Sequence, residues 1–491
     1  MKVFRTPGIA LLALLALAGI ASAQAPFTAG TWTKTKNAPT STVAHAMLLS
    51  DGSVLVNSMF FQNHSDPWYR LVPDATGSYI NGTWVNAGTL PSGYNPLYFA
   101  STLLPTGQVA IFGGEYNNGS GVWTTKGALY TPGSNTWTSL TAPSGWTTVG
   151  DAQSILLPSG KMMLANCCTT QEAIMTLTGT TASWATTGTG KSDWNDEEGW
   201  TMLPGAKTIL TVDTYVSGGC CKLGYQLYDI ASGTWTTPTN TTIVNLVDPG
   251  SLEVGPAPLL PSGIVFNAGA TTNNATYDPV AGAWTTAPSF PSGLDSADGP
   301  AAVLPSGNAL FDVSPGIFQN GSKFYEWDGT TMNLTAAPPN AGIDSSYVGN
   351  MVVLPSGQIL FTDFSSDVEI YTPSGTACTG CAPTISSVAA TLTHGSKGNK
   401  IAGTQFNGLT QGAYYGDDSQ NDSNFPLVRI TDSKHHTLYC RTHNWKPGVA
   451  MGATALSNAQ FDIPNVVATG SATLVVVANG IASAPKTVTI N

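Results

Sequence analysis

The sequence predicts an all-β protein, a seven-bladed β-propeller followed by a small β-sandwich, and three observations support this prediction. Charged residues make up only 10% of the chain, while 53 glycines and 32 prolines favour short strands and tight turns over helices. A hairpin motif recurs about every fifty residues, which is a spacing typical of propeller blades. After Cys381 the motif stops, and alternating apolar and polar residues replace it.

Residues 1–23 have the pattern of a secretory signal peptide. Lys2 and Arg5 precede an apolar run over 9–20, and Ala21-Ser22-Ala23 is the small-residue site that a signal peptidase cleaves. No later stretch reaches the roughly 20 apolar residues that span a bilayer. We therefore expect a secreted or periplasmic protein without a transmembrane segment. Its net charge of −11 argues against nucleic acid or an anionic membrane as partner.

Residues 24–382 contain seven copies of one hairpin, in which two apolar runs flank a turn rich in Pro, Ser and Gly. The turn residues permit chain reversal, and the flanks are strand-like without reaching helix length. Seven such units predict seven propeller blades. The turn glycines of the seven copies are Gly52, Gly107, Gly160, Gly205, Gly263, Gly307 and Gly357.

A second motif supplies the outer strands of most blades. It consists of an aromatic residue followed by a turn and a tryptophan, as in Tyr277 to Trp284. The last copy begins at Tyr371 but contains no tryptophan, whereas the mature N-terminus opens with a strand around Trp32. We expect the strand of Trp32 to pair beside that of Tyr371. This pairing would close the ring and cover two sheet edges that would otherwise be exposed.

The last segment, residues 383–491, lacks the repeat and shows alternating runs such as 427–430, 438–441 and 472–477. This pattern predicts a separate β-sandwich of about a hundred residues.

The blades resemble kelch repeats, with Gly113-Gly114 at the end of a second strand and Tyr277-Asp278-Pro279 leading to Trp284. The order of propeller and C-terminal sandwich resembles galactose oxidase over nearly the whole mature chain. The resemblance implies a kelch-type propeller and an immunoglobulin-like C-terminal domain. Because propellers carry unrelated functions, it indicates fold more strongly than activity.

Galactose oxidases hold copper with two tyrosines and two histidines. The family's Tyr-His pair matches Tyr347 and Val348 here, and the position of its second histidine, after Tyr415-Gly416, falls near Gln420. Neither Val348 nor Gln420 offers the imidazole nitrogen that Cu(II) prefers. We therefore expect no copper and no copper-radical chemistry.

Polar residues precede the inner strands of several blades, where they should converge on the central channel. If the segment after Tyr415 resembles the axial loop of galactose oxidase, it would add further polar side chains from below. The ligand-binding candidates are Tyr98, Asp151, Asp196, Glu197, Glu198, Glu253, Asp298, Tyr347, Asp417, Asp418 and Gln420.

A ring of carboxylates can bind a hard cation such as Ca²⁺, accept hydrogen bonds from sugar hydroxyls, or supply a general acid with a raised pKa. It can also simply accept backbone N–H groups and hydrate the channel. The consecutive acids 196–198 repel one another unless a cation or Lys191 neutralises them.

Seven cysteines are present, and six of them are grouped closely enough to form disulfides in an oxidising compartment. Cys167 can bond its neighbour or a cysteine of the second vicinal pair, and four reduced thiols could instead hold a soft metal. Cys440 remains as a buried free thiol. The disulfide candidates are Cys167, Cys168, Cys220, Cys221, Cys378 and Cys381.

These features favour a monomeric, exported binding protein that recognises a carbohydrate or another extracellular ligand on its channel face. No nucleophile, zinc-protease or phosphate-loop motif is present in the sequence. We expect no cofactor, with Ca²⁺ as the alternative at the acidic ring. The competing functions are a carbohydrate-active hydrolase or lyase, a divergent oxidase, and a scaffold for partner proteins.

Overall fold

The computed structural model describes residues 27–58, 67–216, 219–220, 223–411, 413–415, 423–449, 452 and 456–491. Strands dominate these ranges, and their helices are short 3-10 turns at Pro291–Gly293, Pro339–Gly342 and Ser346–Val348. The all-β prediction is therefore confirmed. Within the same ranges no helix has the length and apolar character needed to cross a membrane. The expected signal peptide, 1–23, lies outside them.

Strand β1 (Thr31–Lys34) is followed by three antiparallel four-stranded sheets, each built from strands in chain order, with one small extra pair of strands. The first sheet contains β2 (Val43–Leu48), β3 (Val54–Ser58), β4 (Tyr69–Val72) and β5 (Thr83–Asn86). The second sheet contains β7 (Ala100–Leu103), β8 (Val109–Phe112), β10 (Lys126–Thr131) and β11 (Thr136–Thr141). The small extra pair of strands is β6 (Pro96–Leu97) with β9 (Tyr116–Asn117). The third contains β12 (Ser154–Leu156), β13 (Met162–Ala165), β14 (Glu172–Thr178) and β15 (Thr181–Thr187).

Four further sheets continue the same pattern. The fourth contains β16 (Thr201–Met202), β17 (Thr208–Val212), β20 (Tyr225–Asp229) and β21 (Thr234–Thr236), with β18 (Tyr215–Val216) and β19 (Gly219–Cys220) paired beside it. The fifth contains β22 (Val265–Asn267), β23 (Asn274–Asp278) and β24 (Ala283–Ala287). The sixth contains β25 (Pro300–Val303), β26 (Ala309–Val313), β27 (Lys323–Trp327) and β28 (Met332–Leu334), and the seventh β29 (Asn350–Val353), β30 (Ile359–Thr362) and β31 (Glu369–Thr372).

The repeated glycines close the hairpins between the first and second strands of these sheets. Gly107, Gly160 and Gly357 have φ of 79°, 80° and 83°, a left-handed conformation that residues with a side chain rarely adopt. The N–H of Gly107 donates to the carbonyl of Leu104 at 2.8 Å, and the same bond recurs at the other two turns. The hairpins predicted around these three glycines are confirmed.

The first strand of each sheet lies inside and the last lies outside. Strands β2, β25 and β29 are buried along their whole length, whereas β5 and β11 are largely exposed. Inner strands of neighbouring sheets contact each other, β29 with both β2 and β25. Antiparallel sheets gathered by their first strands have the arrangement of a β-propeller.

Strand β1 completes the seventh sheet, although more than 300 residues separate it from β31. It pairs antiparallel with β31, and Trp32 stands opposite Tyr371, so the predicted pairing is confirmed. The Trp32 ring contacts the rings of Phe324, Phe361 and Tyr371 at centroid distances of 5.1, 5.6 and 4.9 Å. The Tyr371 hydroxyl donates to Glu326 and accepts the Gly30 N–H, and these bonds fix the closing strand to its neighbours.

The C-terminal segment forms two sheets of its own. One contains β32 (Thr384–Val388), β34 (Asn399–Thr404), β38 (Thr442–Lys446) and β39 (Leu456–Phe461). The other contains β33 (Thr391–Leu392), β36 (Leu427–Thr431), β37 (Thr437–Cys440), β40 (Gly470–Ala478), β41 (Ile481–Ala482) and β42 (Lys486–Ile490). Apolar side chains of both sheets share one core that continues into β2, β3 and β29, so the segment packs against the first and seventh sheets.

Strand β35 (Ala413–Tyr415) leaves the C-terminal sheets and joins the sixth sheet. It pairs antiparallel with the inner strand β25, with Tyr414 opposite Ala301. Just before it, the buried Gln411 accepts the Met202 N–H at 2.8 Å and donates to the Trp200 carbonyl at 3.2 Å. The C-terminal segment thus reaches the inner edge of the array at these residues. The candidates Asp417, Asp418 and Gln420 lie outside the described residues.

We predict that Trp32→Ala lowers the free energy of unfolding by about 3 kcal/mol, because a half-buried ring in contact with three aromatic side chains is removed. Chemical denaturation measures the change. Thr33→Ala is the matched control: it lies on the same strand, but its side chain is exposed, and it should change stability by less than about 0.5 kcal/mol. Equal stability of the two variants would show that the ring of Trp32 does not hold the closing strand.

Candidate functional site

The structure brings six of the predicted site residues together around one cavity of about 340 Å³. They come from the segments that precede or connect strands in several different sheets. The cavity is lined by Tyr98, Asp151, Glu197, Glu253, Asp298 and Tyr347, together with Glu115, Tyr116 and Phe318.

A shared backbone conformation places three of these side chains. Tyr98, Glu197 and Asp298 have φ of 52°, 54° and 47°, and they lie two, four and two residues before the inner strands β7, β16 and β25. A left-handed conformation is unfavourable for residues with a side chain and is found preferentially at functional sites. Three sheets thus use the same turn to present a side chain to the cavity.

The described part of the cavity lining is acidic, and lysine, arginine and histidine are absent from it. Glu197, Glu253 and Asp298 each place a carboxylate oxygen within 4.8 Å of the other two. Burial raises the pKa of Asp298, and burial together with the charge of Asp298 raises the pKa of Glu115. The cavity therefore favours ligands that donate hydrogen bonds or carry positive charge.

Aromatic rings form the remainder of the lining. The Phe318 ring packs edge-on against Tyr347 at 5.2 Å, and Tyr98 lies 6.2 Å from Tyr116. Behind Tyr98, the Nε2 of the buried His45 accepts the Tyr98 N–H at 3.4 Å. Burial lowers the pKa of His45 to about 3, so this histidine is neutral and helps to hold the turn of Tyr98 in place.

The sequence analysis missed Glu115, Tyr116 and Phe318. All three lie on connections between the second and third strands of a sheet, after β8 or β26. Such connections lie at the same end of a sheet as the start of its inner strand. Extending the search from the residues before the inner strands to these connections would have found them. The Glu115 N–H donates to the Tyr98 carbonyl at 3.0 Å, which joins the two kinds of loop.

The three consecutive acids of the fourth sheet point in different directions. Glu197 lines the cavity, whereas Asp196 lies beside the thiols of Cys167 and Cys168. Glu198 is fully buried, where it accepts a hydrogen bond from Gln153 at 2.6 Å. Asp196 and Glu198 are therefore not among the described residues that line the cavity with Glu197, because each carboxylate has a separate partner.

Lys191 neutralises the buried part of this segment. Its ammonium lies 3.0 Å from Glu198 and 3.9 Å from Asp193, none of the three side chains is exposed, and it stands 5.2 Å above the Trp235 ring. Burial alone would lower the pKa of Lys191, but the adjacent carboxylates outweigh burial and raise it. Lys191 is thus the counter-charge for the acids that do not reach the cavity.

The structure decides part of the disulfide prediction. Cys378 and Cys381 are bonded and Cys440 is a buried free thiol, and both predictions are confirmed. Cys167 and Cys168 also carry free thiols, and the bridges predicted at these two residues stay a prediction. Their sulfurs face the Asp196 carboxylate, at 3.8 and 3.3 Å. The side chain of Cys220 and all of Cys221 lie outside the described residues.

A second group of buried carboxylates lies between the sixth and seventh sheets. Asp312 on β26 and Glu369 at the start of β31 are fully buried, with Asp344 and Asp363 nearby. Burial, followed by the charges of Asp363 and Asp367, raises the pKa of Glu369 to about 9. This group does not line the cavity, but it makes folding sensitive to pH.

No family model and no curated protein matches the chain. Among solved structures, a streptogramin B lyase is 10% identical over 70% of this chain and 98% of its own, with a TM-score of 0.47. A virginiamycin B lyase from Staphylococcus aureus with quinupristin is 10% identical over 70% and 100%, with a TM-score of 0.49. YCF48 bound to D1 peptide is 11% identical over 72% and 98%, with a TM-score of 0.48. Similarities at this level carry no statement about activity.

We predict that Lys191→Met lowers the free energy of unfolding by about 3–5 kcal/mol at neutral pH, because it leaves the buried Glu198 and Asp193 without their counter-charge. The deficit should shrink as the pH falls, since a protonated Glu198 needs no partner. Denaturation at several pH values measures both effects. The control Lys207→Met removes an exposed lysine and should change stability by less than about 0.5 kcal/mol.

We predict that Glu369→Gln stabilises the protein at pH 8 relative to the wild type. The pKa of Glu369 is about 9 in the folded protein and about 4 in the unfolded chain. Protonated Glu369 therefore contributes its full stabilisation below about pH 4, and this contribution is lost as the pH rises toward about 9. The difference between variant and wild type should therefore grow by at most about 1.4 kcal/mol per pH unit above that lower limit. Parallel pH–stability curves for the two proteins would contradict the raised pKa.

Proposed function

We propose that this chain is an exported binding protein, secreted or periplasmic, that recognises a carbohydrate or another extracellular ligand in the acidic cavity. In this proposal residues 1–23 are a signal peptide, 24–382 a closed kelch-type propeller of seven blades, and 383–491 an immunoglobulin-like sandwich that braces it. The pairing of β1 with β31 supports the closed ring, and the two C-terminal sheets with a shared core support the sandwich.

The main support for this proposed function is the set of side chains that line the cavity. Five carboxylates face four aromatic rings across a volume of about 340 Å³, near the lower end of the range for small-molecule sites. Carboxylates accept hydrogen bonds from the hydroxyl groups of a sugar, and aromatic rings pack against its apolar faces. Among the residues that the structure describes, none of those lining the cavity is basic, which counts against phosphate or carboxylate ligands.

An enzymatic function is the second candidate, as a carbohydrate-active hydrolase or lyase or as a divergent oxidase. The raised pKa of Asp298 and Glu115 supports it, since a protonated carboxyl beside ionised ones can act as a general acid. The lining residues within the described ranges offer oxygen donors and no imidazole, so copper chemistry is not part of this proposal. Ca²⁺ bound by Glu197, Glu253 and Asp298 could instead orient a bound ligand, because it prefers oxygen ligands.

Screening the purified mature protein against neutral oligosaccharides on an array, followed by calorimetry on those that bind, tests the proposal. Glu197→Gln should weaken binding about tenfold, because a hydrogen bond to a charged group exceeds one to a neutral group by roughly 1 kcal/mol or more. Asp229→Asn, which changes an exposed carboxylate at the end of β20, should leave affinity unchanged.

The same samples separate the competing functions. Release of shorter sugars over time would identify an enzyme, and affinity that disappears with a chelator and returns with Ca²⁺ would identify a calcium-dependent site. Failure of every oligosaccharide to bind, or equal affinity in the Glu197 variant and the wild type, would refute carbohydrate recognition in this cavity.

A further inference from the structure

Two thiols and a carboxylate lie close together beside the cavity, on Cys167, Cys168 and Asp196. We propose that these three side chains form a binding site for Zn²⁺. The Asp196 Oδ1 atom lies 3.8 Å from the Cys167 sulfur and 3.3 Å from the Cys168 sulfur, and all three donor atoms lie within 4.8 Å of one another. The proposal does not depend on what the cavity binds.

The distances between the two sulfurs and the Asp196 oxygen agree with the geometry that zinc requires. Tetrahedral Zn²⁺ has Zn–S bonds of about 2.3 Å and Zn–O bonds of about 2.1 Å, which puts sulfur and oxygen ligands about 3.6 Å apart. The two observed distances, 3.8 and 3.3 Å, lie on either side of this value. The two sulfur–oxygen distances are therefore compatible with ligation of one ion by all three side chains.

Main-chain hydrogen bonds hold the two loops of the site together. The Cys168 N–H donates to the Asn195 carbonyl at 2.9 Å, and the Asn195 N–H donates to the Thr169 carbonyl at 2.8 Å. On the other side the Cys167 N–H donates to the Val149 carbonyl at 2.9 Å, and the Thr214 hydroxyl donates to the Asp196 carbonyl. The donors are thus fixed by the fold before a metal binds, which lowers the entropic penalty of binding.

The donor set and its surroundings favour zinc over the hard cations Ca²⁺ and Mg²⁺. Two sulfurs exclude Ca²⁺ and Mg²⁺, which take oxygen ligands, whereas two cysteines and one carboxylate suit Zn²⁺ with a water in the fourth position. Asp151 acts electrostatically on Cys167, and Glu197 follows Asp196 directly, so the local charge is negative. Cys168 and Asp196 are partly exposed, which leaves the ion a route from solvent.

Binding replaces two S–H bonds by two S–Zn bonds and releases the two protons to solvent. Affinity should therefore rise with pH. A coordinated thiolate is also no longer free to form a disulfide, so the ion would keep both cysteines reduced in an oxidising compartment.

Co²⁺ and Zn²⁺ titrations of the reduced, metal-free full chain test the site. Co²⁺ should produce the sulfur-to-cobalt charge-transfer absorption of a thiolate site, and one equivalent of Zn²⁺ should abolish it. Cys167→Ser and Cys168→Ser should each lose this absorption and weaken zinc binding by at least about a hundredfold. Asp196→Asn should retain the absorption and bind zinc about tenfold more weakly.

Two controls locate the ion. Cys440→Ala removes the other described free thiol and should bind zinc like the wild type, and so should the double variant C220S/C221S. Zinc binding that survives in Cys167→Ser, or that is lost in C220S/C221S, would overturn the assignment. A disulfide between Cys167 and Cys168 in protein isolated with Zn²⁺ present, detected by mass spectrometry without reduction, would overturn it as well.

Discussion

The pairing of β1 with β31 is the constraint on which the rest of the structure depends. It joins residues near the two ends of the propeller-like array and covers edges that would otherwise present unpaired N–H and C=O groups. Since β29 of the same sheet contacts both β2 and β25, the closing strand also fixes the inner strands of its neighbours. The loops that carry the cavity residues depend on those inner strands for their positions.

Charge is distributed differently in the two parts of the acidic region. Within the fourth sheet Lys191 balances Glu198 and Asp193, so those acids contribute to stability and are withheld from solvent. Around the cavity, Glu197, Glu253 and Asp298 gather their carboxylates within 4.8 Å of one another, and the described residues of the lining include no lysine or arginine. The acids next to Lys191 and those of the cavity therefore stand in different electrostatic surroundings.

The periodic parts of the molecule were predictable from the sequence, and the side-chain directions were not. Turn glycines such as Gly107 reveal the hairpins because a left-handed turn needs glycine, and Tyr98 and Asp298 were found because they precede inner strands. Adjacent acids such as Asp196 and Glu198 cannot be separated by spacing alone, since their directions depend on contacts with Cys168 and Lys191. The sequence likewise could not show that the thiol of Cys167 is free, because a disulfide depends on the distance between two sulfur atoms in the folded chain and not on their separation in sequence.

The left-handed turns before the inner strands have a consequence for how such a site can diversify. Because backbone torsion directs the side chain at Tyr98, Glu197 and Asp298, the chemical identity of that side chain is largely decoupled from the direction in which it projects. Replacement at any of these positions would change the chemistry of the cavity lining, whereas the hydrogen bonds of the neighbouring hairpins are made by the main chain. Single exchanges would therefore alter the charge and polarity of the cavity without rearrangement of the sheets.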